Sequence, residues 1–432
     1  MMAHIIIYMQ EMDVECLKAI SVKEASVLKG SIEIQGSKNT VLPIMAATLL
    51  SSGISVIHNC PEIEDVWVMC QLLECLHVRT RLENHILTID TRNASYEVLP
   101  SSLTRKLRSS VLLLGPVLAR WQKAEIGMPG GCAIGLRPID IHLEGLVKMN
   151  VDVNLHKDIL SCKTFYLQGT EYHLRFPSVG ATENLIMAAV GAKGRTILRG
   201  VAKEPEVIEL CNYLLSMGAL IEGVGTDVLV IKGTKELTAS DYCNVYDRIV
   251  AGTYLLMAAA VPSDIKLIGI EDISYLKNVI QVASKLGVNV VKFEHYLSVQ
   301  SFGKVFSGDF ETGIYPEFPT DLQPVLLSVL FKATGESSVK ETVFENRFGI
   351  VKELKKLDAD IHLDGQTVFV KENAKLQGHT VKATDLRQGA ALLIAGLICK
   401  GYTTVTDISY IERGYEDIVR DLRNVGVEAA YV

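Results

Sequence analysis

The most restrictive feature of this 432-residue chain is a pattern that recurs six times, at intervals of about 70 residues. In each copy an apolar helical segment ends, one turn residue follows, and an apolar strand begins. The turn residues are of types that tolerate a left-handed backbone at a helix C-terminus. They are His77, Asn150, Gly218, Gly287, Asp358 and Gly426. Agreement in both spacing and residue type indicates six copies of one structural unit.

Each unit also contains an earlier segment that is rich in Ala and Leu and nearly apolar on all sides, which predicts a buried helix. These segments cover residues 41–50, 110–119, 183–190, 252–260, 322–331 and 389–397. We therefore expect an α/β protein whose unit runs strand, buried helix, strand, outer helix, strand and strand. Three units would make one compact domain, and six would make two.

Polar residues stand just before or at the start of each buried helix. Helix N-termini attract anions through their N–H groups and the helix dipole, and basic side chains strengthen that attraction. The basic residues at equivalent places are Lys38, Arg108, Arg248 and Arg387. A simpler interpretation is that Asp321, Asp385 and Thr182 cap their helices. Capping alone does not explain the four cations, so the pattern favours an anion-binding cleft.

Composition narrows the class of protein. Hydrophobic residues make up 48% and charged residues 22%, which is typical of a globular chain. The net charge of −7 argues against a general nucleic-acid surface, although a basic cleft can still oppose it locally. The apolar run at residues 5–9 has no cationic flank and is too short for a signal peptide or a membrane span. We expect a cytoplasmic protein.

The nine cysteines form no regular framework and predict reduced thiols. One dense group raises the question of zinc: His58, Cys60, Cys70, Cys75 and His77. No C-x-x-C motif is present, so core packing is the better interpretation and no metal is expected.

Residues 129–140 contain three glycines between two prolines, which predicts a surface loop. The loop carries Cys132 and, five residues later, Arg137. A guanidinium favours the charged form of a nearby thiol, so this arrangement is typical of a reactive cysteine. The alternative is a glycine-rich turn whose cysteine is merely small.

Taken together, these residues resemble the enolpyruvyl transferase family. The resemblance covers about residues 20–432. The motifs that carry it are Gly36-Ser37-Lys38-Asn39, Leu107-Arg108-Ser109-Ser110, the Pro129–Asp140 loop with His142, Ser178-Val179-Gly180-Ala181-Thr182, Glu204-Pro205-Glu206, Asp247-Arg248-Ile249, Phe318-Pro319-Thr320-Asp321, the Glu341–Arg347 run, Thr384-Asp385-Leu386-Arg387 and Arg413-Gly414-Tyr415.

The resemblance implies a fold: a two-domain inside-out α/β barrel built from the six repeats. One domain would be discontinuous and comprise residues 1–37 plus 247–432, of which residues 1–19 are an extension without a family counterpart. The other would comprise residues 38–246 and carry the Cys132 loop. A double-crossing hinge would join them, with substrates bound in the cleft between.

The resemblance also implies a reaction. The enolpyruvyl group of phosphoenolpyruvate would pass to the 3-hydroxyl of UDP-N-acetylglucosamine through a tetrahedral ketal, with release of phosphate, as the first committed step of peptidoglycan synthesis. Cys132 resembles the proton donor, and Asp321 resembles a general base facing the sugar hydroxyl. Lys38 and Arg413 complete the implied catalytic set. The residues implied to contact phosphoenolpyruvate are Lys38, Asn39, Arg137, Arg387 and Arg413.

The implied nucleotide-sugar site is larger and lies on several segments. It comprises Arg108, Arg137, Pro138, Ile139, Asp140, Ile141, Ser178, Val179, Gly180, Asp321 and Val343. Both substrates are small molecules, and no cofactor, metal, nucleic acid or membrane is expected.

Two departures from the family pattern leave alternatives open. Phe176 stands where a basic residue is common, and Val250 stands where a carboxylate is common. These losses motivate one alternative, a regulatory paralogue that binds the nucleotide sugar with weak activity. The other alternative is enolpyruvyl transfer to shikimate 3-phosphate, and Cys132 and the Glu341–Arg347 run argue against it.

Overall fold

The computed structural model describes residues 19–130, 139–372 and 375–432. Strands within these residues form six small sheets of one plan. Antiparallel strands make up most of each sheet, and one edge is joined in parallel. In the second sheet the parallel edge is a single bridge from Leu99 to Ile126. The repeated unit predicted from the sequence is therefore confirmed, together with the α/β fold class.

The strands in sheet order are as follows. The first sheet contains Asp241–Cys243, Ile54–His58, Ile86–Asp90 and Arg79–Glu83; the second Lys123–Gly127, Ile159–Lys163 and Asp152–His156; the third Leu220–Glu222, Val228–Lys232, Arg195–Arg199 and Glu171–His173. The fourth contains Val288–Lys292, Tyr296–Phe302, Pro262–Ile268 and Leu28–Glu33; the fifth Asp309–Glu311, Glu336–Lys340, Thr367–Lys371 and Ile361–Asp364; the sixth Thr380–Lys382, Tyr402–Thr406, Ala19–Lys23 and Ala429–Tyr431. A minor parallel pair joins Val305–Phe306 to Ala333–Thr334.

The helices fall into a buried set and an outer set. The buried helices are Lys38–Ala47, Leu114–Trp121, Val179–Val190, Arg248–Ala260, Gln323–Leu330 and Leu386–Gly396. The outer helices are Glu64–Cys75, Asp140–Lys148, Pro205–Ser216, Lys277–Lys285, Ile350–Leu354 and Ile418–Asn424. Shorter helices are Ser101–Thr104 and Ser409–Glu412, with 3-10 turns at Thr48–Leu50, Arg108–Leu113, Ile273–Leu276, Thr320–Leu322, Arg347–Gly349 and Lys355–Leu357.

Several buried helices begin earlier than their apolar pattern indicates. Lys38, Arg248 and Arg387 lie within the first turn of their helices, not before them. The preceding residues Ser37, Asp247 and Asp385 accept hydrogen bonds from first-turn N–H groups and fix these starts. Capping and cation placement therefore occur together at the same helix ends.

Buried hydrophobic side chains form two separate clusters. One is built from residues 41–231, and the other combines residues 20–34 with residues 246–429. The chain passes between them twice, and the two passages touch where the Ser37 N–H donates to the Val245 carbonyl oxygen at 2.7 Å. Only glycine fits beside this crossing, because a Cβ at Gly36 would lie 1.8 Å from the Asn59 carbonyl oxygen. The domain bounds at residues 37/38 and 246/247 stay a prediction.

Among the described residues, no helix combines the length and apolar character that crossing a membrane requires.

All six predicted turn residues have positive φ, from 57° at His77 to 99° at Gly218. We expect Asn150→Val to lower the free energy of unfolding by roughly 1–2 kcal/mol, because a β-branched residue is strained at the φ of 69° found there. Asn150→Gly should leave stability unchanged or slightly raised. Denaturation midpoints measure both effects.

Asp152→Val is the matched control, since Asp152 lies two residues away on an exposed position of a strand. Equal losses from the two valine substitutions would show that the left-handed turn does not constrain the sequence.

Candidate active site

One buried carboxylate joins the two halves of the chain. The Asp65 side chain, only 3% exposed, accepts from Lys38 Nζ at 2.8 Å through Oδ2 and from Arg413 Nε at 2.8 Å through Oδ1. Lys38 and Asp65 belong to the first half, and Arg413 belongs to the second. Lys38 and Arg413, both predicted to contact phosphoenolpyruvate, are thus brought together by Asp65, for which the sequence predicted no role.

A second carboxylate gathers two more cations. Asp321 accepts from Arg347 Nη2 at 2.8 Å through Oδ1 and from Arg387 Nη2 at 3.1 Å through Oδ2. The two arginine side chains are 2% and 7% exposed, respectively. Asp321 lies in a 3-10 turn and is not the N-cap of the following helix. The capping interpretation of Asp321 is therefore wrong, whereas Asp385 does cap its helix. Thr182 is not an N-cap either; it lies within the helix that begins at Val179, and its hydroxyl accepts from the Ala202 N–H.

Two helix starts connect the Asp65 group with the Asp321 group. The backbone N–H of Lys38 donates to Asp247 Oδ2 at 3.1 Å, and Oδ1 of the same aspartate caps helix Arg248–Ala260. Asp247 and Arg387 also interact electrostatically. The N-terminal ends of three buried helices, drawn from both halves, therefore converge on one group of charges. Asn39 lies in the first turn of its helix, next to Lys38.

The electrostatics of this group follow from burial and crowding. Burial lowers the pKa of Lys38, and Arg387 and Arg413 lower it further, against the opposing effect of Asp65. Burial would raise the pKa of Asp65, but Lys38 and Arg413 outweigh it and hold that pKa below its usual range. Burial opposes the charge on Arg387, yet Asp321 raises its pKa overall. The result is a buried, mainly cationic surface that suits a small anion.

A third carboxylate, Glu206, forms an ion pair nearby. Arg248 donates to both carboxylate oxygens of Glu206, at 3.1 and 3.2 Å. Val250, where the family often has a carboxylate, is buried in the core. Burial raises the pKa of neighbouring Glu204 to about 6. The departure at Val250 therefore does not leave Arg248 without a carboxylate partner.

Six of the predicted nucleotide-sugar residues lie on two neighbouring segments. Ser178 accepts from the Ala181 N–H and caps helix Val179–Val190, whose first turn contains Val179 and Gly180. Helix Asp140–Lys148 packs beside it and carries Asp140 and Ile141, with Ile139 just before its start. Arg175 forms an ion pair with Asp140 and another with Glu144. Phe176, where the family often has a basic residue, is exposed. Arg175, the basic residue nearest to this helix start in the sequence, is already paired with two carboxylates.

Arg108 and Val343, two further predicted nucleotide-sugar residues, lie on other segments of the chain. Arg108 begins the 3-10 turn Arg108–Leu113 and acts electrostatically on His142. The Val343 N–H donates at 2.8 Å to Glu341, a fully buried acid that also accepts from the Thr320 hydroxyl at 2.8 Å. Glu341 thus holds the Val343 segment against the turn that presents Asp321, another role that the sequence analysis missed.

Three predicted site residues lie outside the described part of the chain. They are Cys132, Arg137 and Pro138. Within residues 19–130, 139–372 and 375–432, no group of three or more His, Cys, Asp and Glu side chains is placed to hold a metal ion. Burial raises the pKa of Cys70 to about 12, as suits a thiol packed in a core.

Comparison with known proteins gives the site its context. Residues 22–422 match the family of EPSP synthase (3-phosphoshikimate 1-carboxyvinyltransferase). UDP-N-acetylglucosamine 1-carboxyvinyltransferase 2 of Caldanaerobacter subterraneus subsp. tengcongensis is 42% identical over 402 residues, which cover 93% of this chain and 96% of that protein. The protein of the same name from Clostridium tetani is 41% identical over 414 residues, 95% of this chain and 99% of that one.

Solved structures agree on the fold. The enolpyruvyl transferase NikO of Streptomyces tendae superimposes with a TM-score of 0.87 at 22% identity, covering 95% of this chain and 98% of that one. EPSP synthase of Acinetobacter baumannii gives a TM-score of 0.73 at 16% identity, covering 96% and 100%. The fold of six α/β units is thus shared with an enolpyruvyl transferase. The chain belongs to the enolpyruvyl transferase family of EPSP synthase and UDP-N-acetylglucosamine 1-carboxyvinyltransferase.

We expect Asp65→Asn to lower the free energy of unfolding by about 3 kcal/mol at pH 7, because Lys38 and Arg413, whose side chains are 12% and 32% exposed, lose their shared buried anion. The pKa of Asp65 is lowered in the folded protein, so its contribution is complete above the unfolded value of about 3.9 and is lost as the pH falls through the folded value. Denaturation midpoints of wild type and variant should therefore converge below about pH 4.

Glu83→Gln is the matched control, because Glu83 pairs with Arg81 at 2.6 Å on the exposed surface. It should change stability little at any pH. A stability difference for Asp65→Asn that persists unchanged at pH 3 would contradict the ion-pair explanation.

Proposed function

We propose that this chain transfers the enolpyruvyl group of phosphoenolpyruvate to the 3-hydroxyl of UDP-N-acetylglucosamine and releases phosphate. The observation that carries the proposal is the group of ion-paired cations Lys38, Arg387 and Arg413 around Asp65 and Asp321, in a chain whose relatives bear this activity in their name. The proposed reaction is the first committed step of peptidoglycan synthesis.

The chemistry requires fixed positive charge. Phosphoenolpyruvate carries a phosphate and a carboxylate, and both anions need partners that do not reorganise during the reaction. Lys38 and Arg413 are held by Asp65, and Arg387 is held by Asp321, so their head groups are fixed before the substrate arrives. We assign these three residues, together with Asn39 and Arg137, to phosphoenolpyruvate.

The proposed reaction is an addition followed by an elimination. A proton is added to the methylene carbon of phosphoenolpyruvate, and the sugar 3-oxygen forms a bond to C2 as its own proton leaves. The tetrahedral ketal then loses a proton from the new methyl group, the C2–O bond to phosphate breaks, and the double bond returns. The products are one enol ether and one inorganic phosphate, which together account for all atoms of the two substrates. The steps need one acid and one base.

We assign Asp321 as the group facing the 3-hydroxyl. A general base must be ionised to accept a proton, and two buried arginines favour the ionised form of this carboxylate. Cys132 is assigned as the proton donor on its sequence context alone. Glu341 supports the assignment of Asp321 indirectly, because it fixes the turn that carries Asp321 to the Val343 segment of the sugar site.

The experiment that tests the function measures phosphate release after the protein is mixed with phosphoenolpyruvate and an acceptor. We expect release with UDP-N-acetylglucosamine and none with shikimate 3-phosphate. Release with shikimate 3-phosphate instead would change the acceptor. No release with either, from folded protein that still binds the nucleotide sugar, would favour a regulatory paralogue.

We expect Asp321→Asn to lower kcat by about 100-fold or more, since a positioned base contributes on that scale. Nucleotide-sugar affinity should change little, and titration calorimetry measures it separately from turnover. Asp309→Asn, an exposed aspartate that accepts from the Ser338 hydroxyl in the same half, is the control and should retain full activity. Wild-type kcat in Asp321→Asn would remove Asp321 from the mechanism.

A further inference from the structure

A buried asparagine lies between the two segments of the proposed nucleotide-sugar site. Asn184, in helix Val179–Val190, is completely buried. Its Oδ1 accepts from the backbone N–H of Gly115 at 2.7 Å, and its Nδ2 lies 3.2 Å from Nδ1 of His142. In the sequence His142 belongs to a family motif without an assigned role, and Asn184 is one polar residue within a largely apolar helix.

These two contacts decide where the imidazole carries its proton. A backbone N–H can only donate, so the side-chain atom that faces Gly115 must be the carbonyl oxygen of Asn184. The amide nitrogen therefore faces His142, and it donates to Nδ1. Nδ1 must then be the unprotonated acceptor, and a neutral ring carries its proton on Nε2.

The surroundings keep the ring neutral. Burial, together with the positive charge of Arg108, lowers the pKa of His142 to about 3. Asp140, on the same helix, opposes this effect, but it is paired with Arg175. Asn184, the side chain that contacts the ring from the packed helix, carries no charge. His142 is therefore an uncharged donor across the pH range in which enzymes work.

The proton on Nε2 faces the start of helix Val179–Val190. A Cβ at Gly180 would lie 3.5 Å from Cε1 and 3.7 Å from Nε2 of His142, so this edge of the ring borders the first turn. Gly180 presents no side chain between the ring and the space above that turn. N–H groups at the start of a twelve-residue helix favour an anion, and a neutral N–H donor beside them suits the same ligand.

We propose that Asn184 is a positioning residue that fixes the Nε2–H tautomer of His142, and that His142 donates this hydrogen bond to a phosphate oxygen of the nucleotide-sugar diphosphate. The inference rests on the proposed function for the identity of the ligand. The assignment of the tautomer does not rest on it, because it follows from the contacts of Asn184 alone.

Nitrogen-15 NMR of the histidine rings tests the tautomer without any ligand. The signals of His142 are assigned by their loss in His142→Gln. We expect Nδ1 of wild-type His142 to be unprotonated and Nε2 to carry the proton at neutral pH. In Asn184→Asp the ionised carboxylate still accepts from Gly115 but cannot donate, so a proton should appear on Nδ1. A wild-type Nδ1–H, or an unprotonated Nδ1 in Asn184→Asp, would overturn the positioning role.

Two amide substitutions test the donor role. A glutamine amide nitrogen can reach the place of Nε2, whereas an asparagine amide nitrogen reaches only the place of Nδ1. We expect His142→Gln to keep the dissociation constant of UDP-N-acetylglucosamine within about threefold of wild type, and His142→Asn to raise it about tenfold or more. KM for phosphoenolpyruvate should change less than twofold in both variants, and melting temperatures show that both are folded.

The outcomes separate this inference from the proposed function. Equal affinity of His142→Asn and wild type for the nucleotide sugar would overturn the donor role while turnover stands. Equal weakening in both variants would show that His142 matters only for packing. A wild-type protein that binds the nucleotide sugar without releasing phosphate would overturn the proposed transfer alone. A wild-type protein that binds no nucleotide sugar would overturn the transfer and the donor role together, and would leave the tautomer result intact.

Discussion

The structure depends first on the buried carboxylate of Asp65. Lys38 and Arg413 come from opposite halves of the chain, and taking the largely buried Lys38 ammonium out of water costs several kcal/mol. Asp65 offsets that cost with one oxygen for each cation. It stands in the first turn of helix Glu64–Cys75, where the helix dipole favours a negative charge. The same contacts hold the two halves together at the place where a substrate would bind.

A common geometry explains why the charges meet there. Each unit places a buried helix beside a small sheet, and the helix starts of both halves approach one another across the double crossing at Ser37 and Val245. Asp247 links two of these helix starts. Its Oδ1 caps helix Arg248–Ala260, and its Oδ2 accepts from the first N–H of helix Lys38–Ala47. An anionic substrate would add negative charge to a site whose cations are already fixed, so little reorganisation is needed on binding.

The sequence predicted what depends on local conformation. The left-handed turns at His77, Asn150 and Asp358 follow from residue type and spacing, and they were confirmed despite the absence of glycine. Several helix starts were placed too late, because the apolar pattern begins after the capped first turn. The segment predicted from residue 110 was placed too early, since a 3-10 turn precedes the helix that begins at Leu114. The α/β class and the transferase family were also accessible, since the motifs are specific.

Contacts between distant residues could not be predicted in the same way. Nothing local distinguishes Asp65 from other acids that begin outer helices, and its role depends on a partner 348 positions away. Arg347 and Glu341 stood within a recognised motif, but their partners Asp321 and Thr320 lie on another segment. Asn184 lies within an apolar helix, where only its tertiary neighbours reveal its function. Roles of this kind are properties of the packed fold and not of any one stretch of sequence.

The central claim is that Lys38, Arg387 and Arg413 form the receptor for phosphoenolpyruvate. The most direct test measures the dissociation constant of phosphoenolpyruvate in the presence of a UDP-N-acetylglucosamine analogue that lacks the 3-hydroxyl and cannot react. Wild type is compared with Lys38→Gln, Arg387→Gln and Arg413→Gln. We expect each substitution to weaken phosphoenolpyruvate binding about tenfold or more, since each removes a charged partner, while the analogue binds as before. Unchanged affinity in all three variants would contradict this expectation and show that phosphoenolpyruvate binds elsewhere.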